Sequence, residues 1–173
     1  MFSYGEKNYF LSLTKSQTHL ALYALFLVAI PIFLTSQLFV GIAVNALLIS
    51  AALKYGIKKN FLLAFLPSFG AVAGGLLFAS FTPYLLVMLP FIWAANLTLM
   101  TLTRKLVISL KKNYFAGTLL AAAAKTSLLF LSAFVLYSIA FVPVAFLTAF
   151  GIMQFITAAG GTIIVGALRL HKH

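Results

Sequence analysis

The sequence predicts an all-α membrane protein, a single bundle of six transmembrane helices with both the N-terminus and the C-terminus in the cytoplasm. Composition is the first observation behind this class. Of the 173 residues, 64% are hydrophobic and 8% are charged, with a mean hydropathy of +1.13, whereas soluble domains have about 45–50% and 25%. Such a chain cannot cover itself with polar surface, which excludes a soluble globule, a disordered chain and a nucleic-acid-binding domain.

Six long apolar stretches are the second observation. A hydrocarbon core of ~30 Å requires about 20 apolar residues in each helix. Pro31 and the polar residues 35–37 separate the first two stretches, and Pro83 and Pro143 stand where a helix can begin without losing a needed N–H donor. The predicted spans are residues 19–34, 37–54, 61–80, 83–103, 115–139 and 143–168.

The distribution of positive charge is the third observation. The chain has twelve Lys and Arg residues but a single acidic residue, Glu6. Eleven of the twelve lie before span 1, at the end of span 2 or between spans 2 and 3, between spans 4 and 5, or after span 6, which is the bias expected of cytoplasmic segments. The same residues are expected to contact anionic lipid. They are Lys7, Lys15, Lys54, Lys58, Lys59, Arg104, Lys105, Lys111, Lys112, Arg169 and Lys172.

The twelfth basic residue, Lys125, lies inside the fifth span. It follows the start of that span by about ten residues, or ~15 Å, which places it near the middle of the membrane. A lysine at this depth is costly unless paired, and it indicates a functional site. With no acidic residue in any span, its partner is an uncharged side chain, a backbone carbonyl, water, another subunit or an anionic ligand. The alternative is that its long side chain extends to the cytoplasmic interface.

Uncharged polar residues recur in the other spans. Asn45, Asn96 and Gln154 need hydrogen-bond partners in lipid and are therefore expected to face the interior of the bundle. They either join neighbouring helices or line one polar cavity together with Lys125. Trp93, the only tryptophan, either offers a flat stacking surface to a ligand or packs as an ordinary core residue.

Missing residue types exclude most chemistry. Hydrolases with a metal centre, intramembrane aspartyl proteases and transporters coupled to protons or sodium need carboxylates that these spans lack. The chain has no cysteine, and its three histidines lack the spacing of a metal site. Ser127 and Ser132 are badly placed on a helix to form a dyad with Lys125. We therefore predict no enzymatic activity, no metal and no cofactor, and any transport would draw its energy from a partner.

The chain resembles the S component of energy-coupling-factor (ECF) transporters, the small membrane subunit that captures a vitamin-like micronutrient. The resemblance covers the whole chain as a pattern of six spans, similar length and cytoplasmic termini. Local similarities are Val44-Asn45-Ala46-Leu47-Leu48, the stretch from Leu63 to Gly75, Ala124-Lys125-Thr126 and the stretch from Gln154 to Gly161.

This resemblance implies a multi-pass protein of a prokaryotic cell membrane, with a transmembrane coupling subunit and ATPase subunits as partners. Ala21, Ala24 and Ala29 on the first helix would dock onto the coupling subunit. The implied ligand is a small molecule, and an anionic one would suit Lys125. Two alternatives remain: a structural or assembly subunit, in which Lys125 pairs with a neighbour's acid, and a self-contained channel or permease. The substrate-binding residues are expected to be Lys125, Asn96, Gln154, Trp93 and Asn45.

Overall fold

The chain folds almost entirely into helices, and the all-α class is confirmed. The computed structural model describes residues 4–75 and 78–171, with the backbone alone for residues 4–16, and no strand occurs within those ranges. The side chains of Lys7 and Lys15, and Lys172 at the C-terminus, lie outside the described residues. The α-helices are α1 Tyr4–Phe33, α2 Gln37–Tyr55, α3 Ile57–Asn60, α4 Leu66–Gly74, α5 Thr82–Arg104, α6 Tyr114–Ser138, α7 Ala145–Phe150 and α8 Ile152–Leu170.

Length and composition fit a membrane protein. Among the described residues, four helical segments are long and apolar enough to cross a membrane. The apolar part of α1, Gln17–Phe33, is shorter than these four. The four segments are Gln37–Tyr55, Ala79–Ser109, Tyr114–Ser138 and Ala145–Leu170.

The third predicted span, residues 61–80, is divided in the structure. It consists of a 3₁₀ turn at Phe61–Ala64, the nine-residue α4 and a second 3₁₀ turn at Ala79–Phe81. Pro67 lies in the first turn of α4, where its missing N–H costs no hydrogen bond. Gly75 ends the helix with φ +66°, a left-handed conformation that suits glycine, and its N–H donates to the Ala71 carbonyl at 3.1 Å.

The last predicted span is also interrupted. Helix α7 ends at Phe150 and α8 begins at Ile152, with Gly151 at the break. The Gln37 side chain on α2 donates from Nε2 to the Ala149 carbonyl at 3.1 Å, which satisfies one of the carbonyls left free at the end of α7. This bond ties the start of α2 to the α7–α8 break.

Helix α2 occupies the centre of the bundle and packs closely on α8. A Cβ atom added at Gly161 would lie 2.7 Å from the Ala46 nitrogen, and one at Gly41 would lie 2.6 Å from Thr157 Cγ2. Glycines at these contacts let two helices approach more closely than larger side chains allow. Helices α5 and α6 pack on each other; α5 also packs on α2 and α6 on α8, while α1 packs on α4 and α2.

Apart from Lys125, the basic residues of the described chain lie towards one end of the bundle. The Arg104 guanidinium donates to the Ala52 carbonyl at 3.0 Å, which brings the C-terminal ends of α5 and α2 together. The Arg169 guanidinium lies 5.0 Å from the centre of the Tyr114 ring, which joins the end of α8 to the start of α6. The cationic end predicted from the sequence is therefore one face of the folded bundle.

Candidate functional site

Lys125 lies in the interior of the bundle, with 3% of its surface exposed. Its Nζ atom donates a hydrogen bond of 2.6 Å to Asn45 Oδ1 on α2. Asn45 is eight residues from the start of α2 and ten from its end, so the ammonium lies level with the middle of that helix. The side chain therefore does not extend to either end of the bundle.

The partner of Lys125 is held in place by a third helix. Asn45 Nδ2 donates to Thr157 Oγ1 on α8 at 3.2 Å, and the Thr157 hydroxyl donates to the Gln154 carbonyl at 3.1 Å. Because an ammonium can only donate, the amide oxygen must face Lys125 and the amide nitrogen must face Thr157. The three side chains form one buried chain that joins α6, α2 and α8.

A cavity lies beside this chain of hydrogen bonds. Its volume is about 80 Å³. Six polar residues line it, namely Gln37, Asn45, Ser68, Asn96, Lys125 and Gln154. The remaining lining residues are Pro31, Val40, Gly41, Val44, Pro67, Ala71, Phe78, Leu85, Ile92 and Phe150.

Four of the five substrate-binding residues expected from the sequence meet at this cavity. Lys125 and Asn45 are joined directly, and Asn96 is 3% exposed with its Nδ2 donating to the Ala64 carbonyl at 2.9 Å. Gln154 lies half-buried on the first turn of α8, and its side-chain amide has no hydrogen-bond partner among the described residues. The cavity thus contains one cation and several neutral amides.

Trp93 lies outside the lining of the cavity. Its indole N–H donates to Ser68 Oγ at 2.6 Å, and its ring packs against Phe65 and Phe69 with centroid distances of 5.3 and 5.6 Å. Ser68 does line the cavity and donates onward to the Phe65 carbonyl at 2.7 Å. Trp93 is therefore connected to the site through Ser68, and its ring packs against the N-terminal part of α4.

The three alanines expected to dock a partner differ in exposure. Ala21 is exposed on α1, whereas Ala24 and Ala29 are half-buried. Ala24 packs against a core cluster that includes Leu27 and Leu48. Ala21 is thus the most accessible of the three.

Sequence reasoning did not select the two aromatic residues at the far end of the cavity. Phe78 and Phe150 stack there with a centroid distance of 5.9 Å and an interplanar angle of 6°. Gln37, whose amide reaches Ala149, belongs to the same end. Gln37 can be identified from the sequence, since it precedes Asn45 by eight residues on one stripe of α2. Phe78 and Phe150 cannot, because nothing in the sequence separates them from the other phenylalanines among the eighteen.

No protein-family model, curated protein or solved structure matches this chain. The site must therefore be interpreted from its own chemistry. A buried ammonium with a neutral partner attracts an anion, because a carboxylate would supply the missing countercharge and further acceptors. Among the residues that the structure describes, the lining contains no acid, thiol or imidazole, so those residues offer no acid–base pair of carboxylates.

Proposed function

We propose that this protein is the substrate-binding membrane subunit of a multi-subunit, ATP-driven importer of a small vitamin-like molecule, similar to the S component of ECF transporters. In this proposal the chain crosses a prokaryotic cell membrane six times. The segment from α3 to α4 and the apolar part of α1 supply the two spans beyond the four long ones. The cationic end faces the cytoplasm, in keeping with the positive-inside rule.

A single observation carries the proposal: the Lys125 ammonium is buried beside a cavity that five other polar residues help to line, and its one partner among the described residues is the neutral Asn45. An isolated buried charge is expensive, and a binding site for an anionic ligand explains why it is kept. No carboxylate is available in the spans to couple uptake to an ion gradient, which supports a partner with ATPase activity as the energy source.

The interior position of Lys125 favours a ligand over the assembly-subunit alternative. A neighbouring subunit would present its acid to the outer surface of the bundle. Lys125 is not on that surface, since only 3% of it is exposed. Its ammonium instead reaches α2 in the middle of the molecule. A small molecule entering the cavity can reach that position, and an acid on an adjacent helix bundle cannot.

The test is whether a small molecule and the predicted partners purify with the protein. We expect native mass spectrometry of the chain in mild detergent to show a bound small molecule, and affinity purification from the native host to recover ATPase subunits. Lys125→Ala should lose the small molecule while inserting normally, and the matched variant Lys58→Ala, at an exposed lysine, should keep it. Undiminished binding by Lys125→Ala would contradict the proposal.

A further inference from the structure

We infer that the ligand of this cavity is a monocarboxylate with a short apolar body. Its carboxylate binds at Lys125, and a phosphate ester is not the ligand. The inference rests on the proposed function, since it names the class of molecule that the same site binds. Three properties of the cavity support it: the number of charges, the hydrogen-bond donors and the aromatic pair at the end away from Lys125.

The charge count favours a ligand of charge −1. Lys125 is the one cation among the lining residues that the structure describes, and none of those residues is acidic. A carboxylate would leave the buried site neutral. A phosphate monoester carries about −1.5 to −2 at neutral pH, so it would leave excess negative charge away from water, which is unfavourable. The lining also lacks arginine, whose planar fork favours bidentate phosphate recognition.

The donors match the two oxygens of a carboxylate. An ammonium has three N–H donors, and the described residues satisfy one of those of Lys125, through Asn45. The Gln154 amide, also at the cavity, is without a partner among the described residues. Together they offer a carboxylate charge-assisted and neutral hydrogen bonds, in keeping with its capacity of about four acceptor positions.

The cavity extends along α2 from Lys125 to an aromatic pair. Gln37 and Asn45 both line it, and eight residues of helix separate them by ~12 Å along α2. Asn45 marks the end with Lys125, whereas Gln37 marks the end with the stacked pair Phe78 and Phe150. A ligand whose carboxylate binds Lys125 would therefore direct its body towards the aromatic pair.

Three probes of matched length separate the ligand classes: hexanoate, the neutral hexanamide and hexyl phosphate. Each is titrated against the purified full-length protein in lipid nanodiscs, and Kd is taken from the rise in the thermal unfolding midpoint with ligand concentration. We expect hexanoate to bind at least tenfold more tightly than the other two. Lys125→Met should remove this preference, and Lys58→Met, which removes an exposed lysine, should retain it.

Each other outcome contradicts a defined part of the argument. Equal or tighter binding of hexyl phosphate or hexanamide overturns the monocarboxylate inference but leaves a ligand-binding function in place. Failure of all three probes to bind also overturns the inference, and the proposed function fails with it only if the purified protein carries no small molecule. Should Lys125→Met fail to fold, Asn45→Asp supplies the second test, because an aspartate there neutralises Lys125 and should abolish the hexanoate preference.

Discussion

Lys125 Nζ on α6 and Asn45 Oδ1 on α2 form a hydrogen bond of 2.6 Å across the middle of the bundle, although 80 residues separate them in the chain. The bond supplies an acceptor without supplying a charge. The ammonium is thus fixed in position, but its charge is not neutralised and still attracts an anion. This relationship makes Asn45 a positioning residue for Lys125.

Replacing Asn45 by aspartate should neutralise the charge of Lys125 within the protein. Asn45→Asp places a carboxylate of nearly the same shape beside Lys125, and the resulting ion pair competes with any anionic ligand. We expect at least a tenfold loss of affinity for the molecule that purifies with the protein, equivalent to about 1.4 kcal/mol, with an unfolding midpoint at or above that of the wild type. Binding is measured by native mass spectrometry and stability by thermal unfolding in nanodiscs.

Asn45→Leu is the matched control. It removes the acceptor without adding a charge and leaves the buried ammonium and Thr157 without their partner, so it should destabilise the fold by about 1–3 kcal/mol. If Asn45→Asp lowered stability as much as Asn45→Leu, or kept full affinity, the assigned role of the Lys125–Asn45 pair would be wrong.

How far the sequence anticipates this site depends on residue chemistry. Lys125 could be singled out because charge inside an apolar span is rare, and asparagine was among the partners that its surroundings allowed. The choice of Asn45 depends on helix packing: α2 and α8 approach through Gly41 and Gly161, and α6, which carries Lys125, packs on α8. Such packing joins residues of distant spans, and no local periodicity encodes it.

The helix boundaries could likewise be predicted only in part. Apolar length predicts α2 to within one residue of its end, because α2 is a mostly apolar run without an internal proline. The third predicted span is likewise apolar, yet the structure divides it near Pro67 and Gly75. Hydropathy measures whether a segment prefers lipid, whereas proline and glycine decide where its helix begins and ends.

The close approach of α2 and α8 yields a second prediction. Gly161→Ala should destabilise the protein by about 1–3 kcal/mol, because the new Cβ would meet the backbone of α2 at 2.7 Å and an overpacked contact forces the helices apart. The neighbouring Gly160→Ala is the control, since its Cβ would meet side-chain atoms of Ile42, at 2.9 Å, rather than backbone. Thermal unfolding in nanodiscs compares the two, and equal losses would contradict this account of the helix contact.

The single tryptophan should report on the cavity. Trp93 donates to Ser68, and Ser68 lines the cavity, so a ligand that enters should change the surroundings of the indole. We expect the fluorescence emission of the wild type to change on adding the molecule that purifies with the protein. Ser68→Ala should shift the emission to shorter wavelength before ligand is added, because it removes a polar group from the indole N–H. Identical spectra for the two proteins would show that this hydrogen bond is not formed.

The absence of cysteine allows a direct test of the six-span topology. Ser80 lies in an exposed 3₁₀ turn between α4 and α5, and Lys58 is exposed on α3 near the cationic end. In the proposed orientation Ser80 faces outward and Lys58 faces the cytoplasm, so in intact cells Ser80→Cys should react with a membrane-impermeant maleimide and Lys58→Cys should not. Lysis of the cells should make both positions reactive, which controls for access to the thiols. The reverse labelling pattern would place the basic residues outside and would contradict the orientation. Labelling of both positions in intact cells would place Ser80 and Lys58 on the same side of the membrane, which contradicts the single span proposed between them.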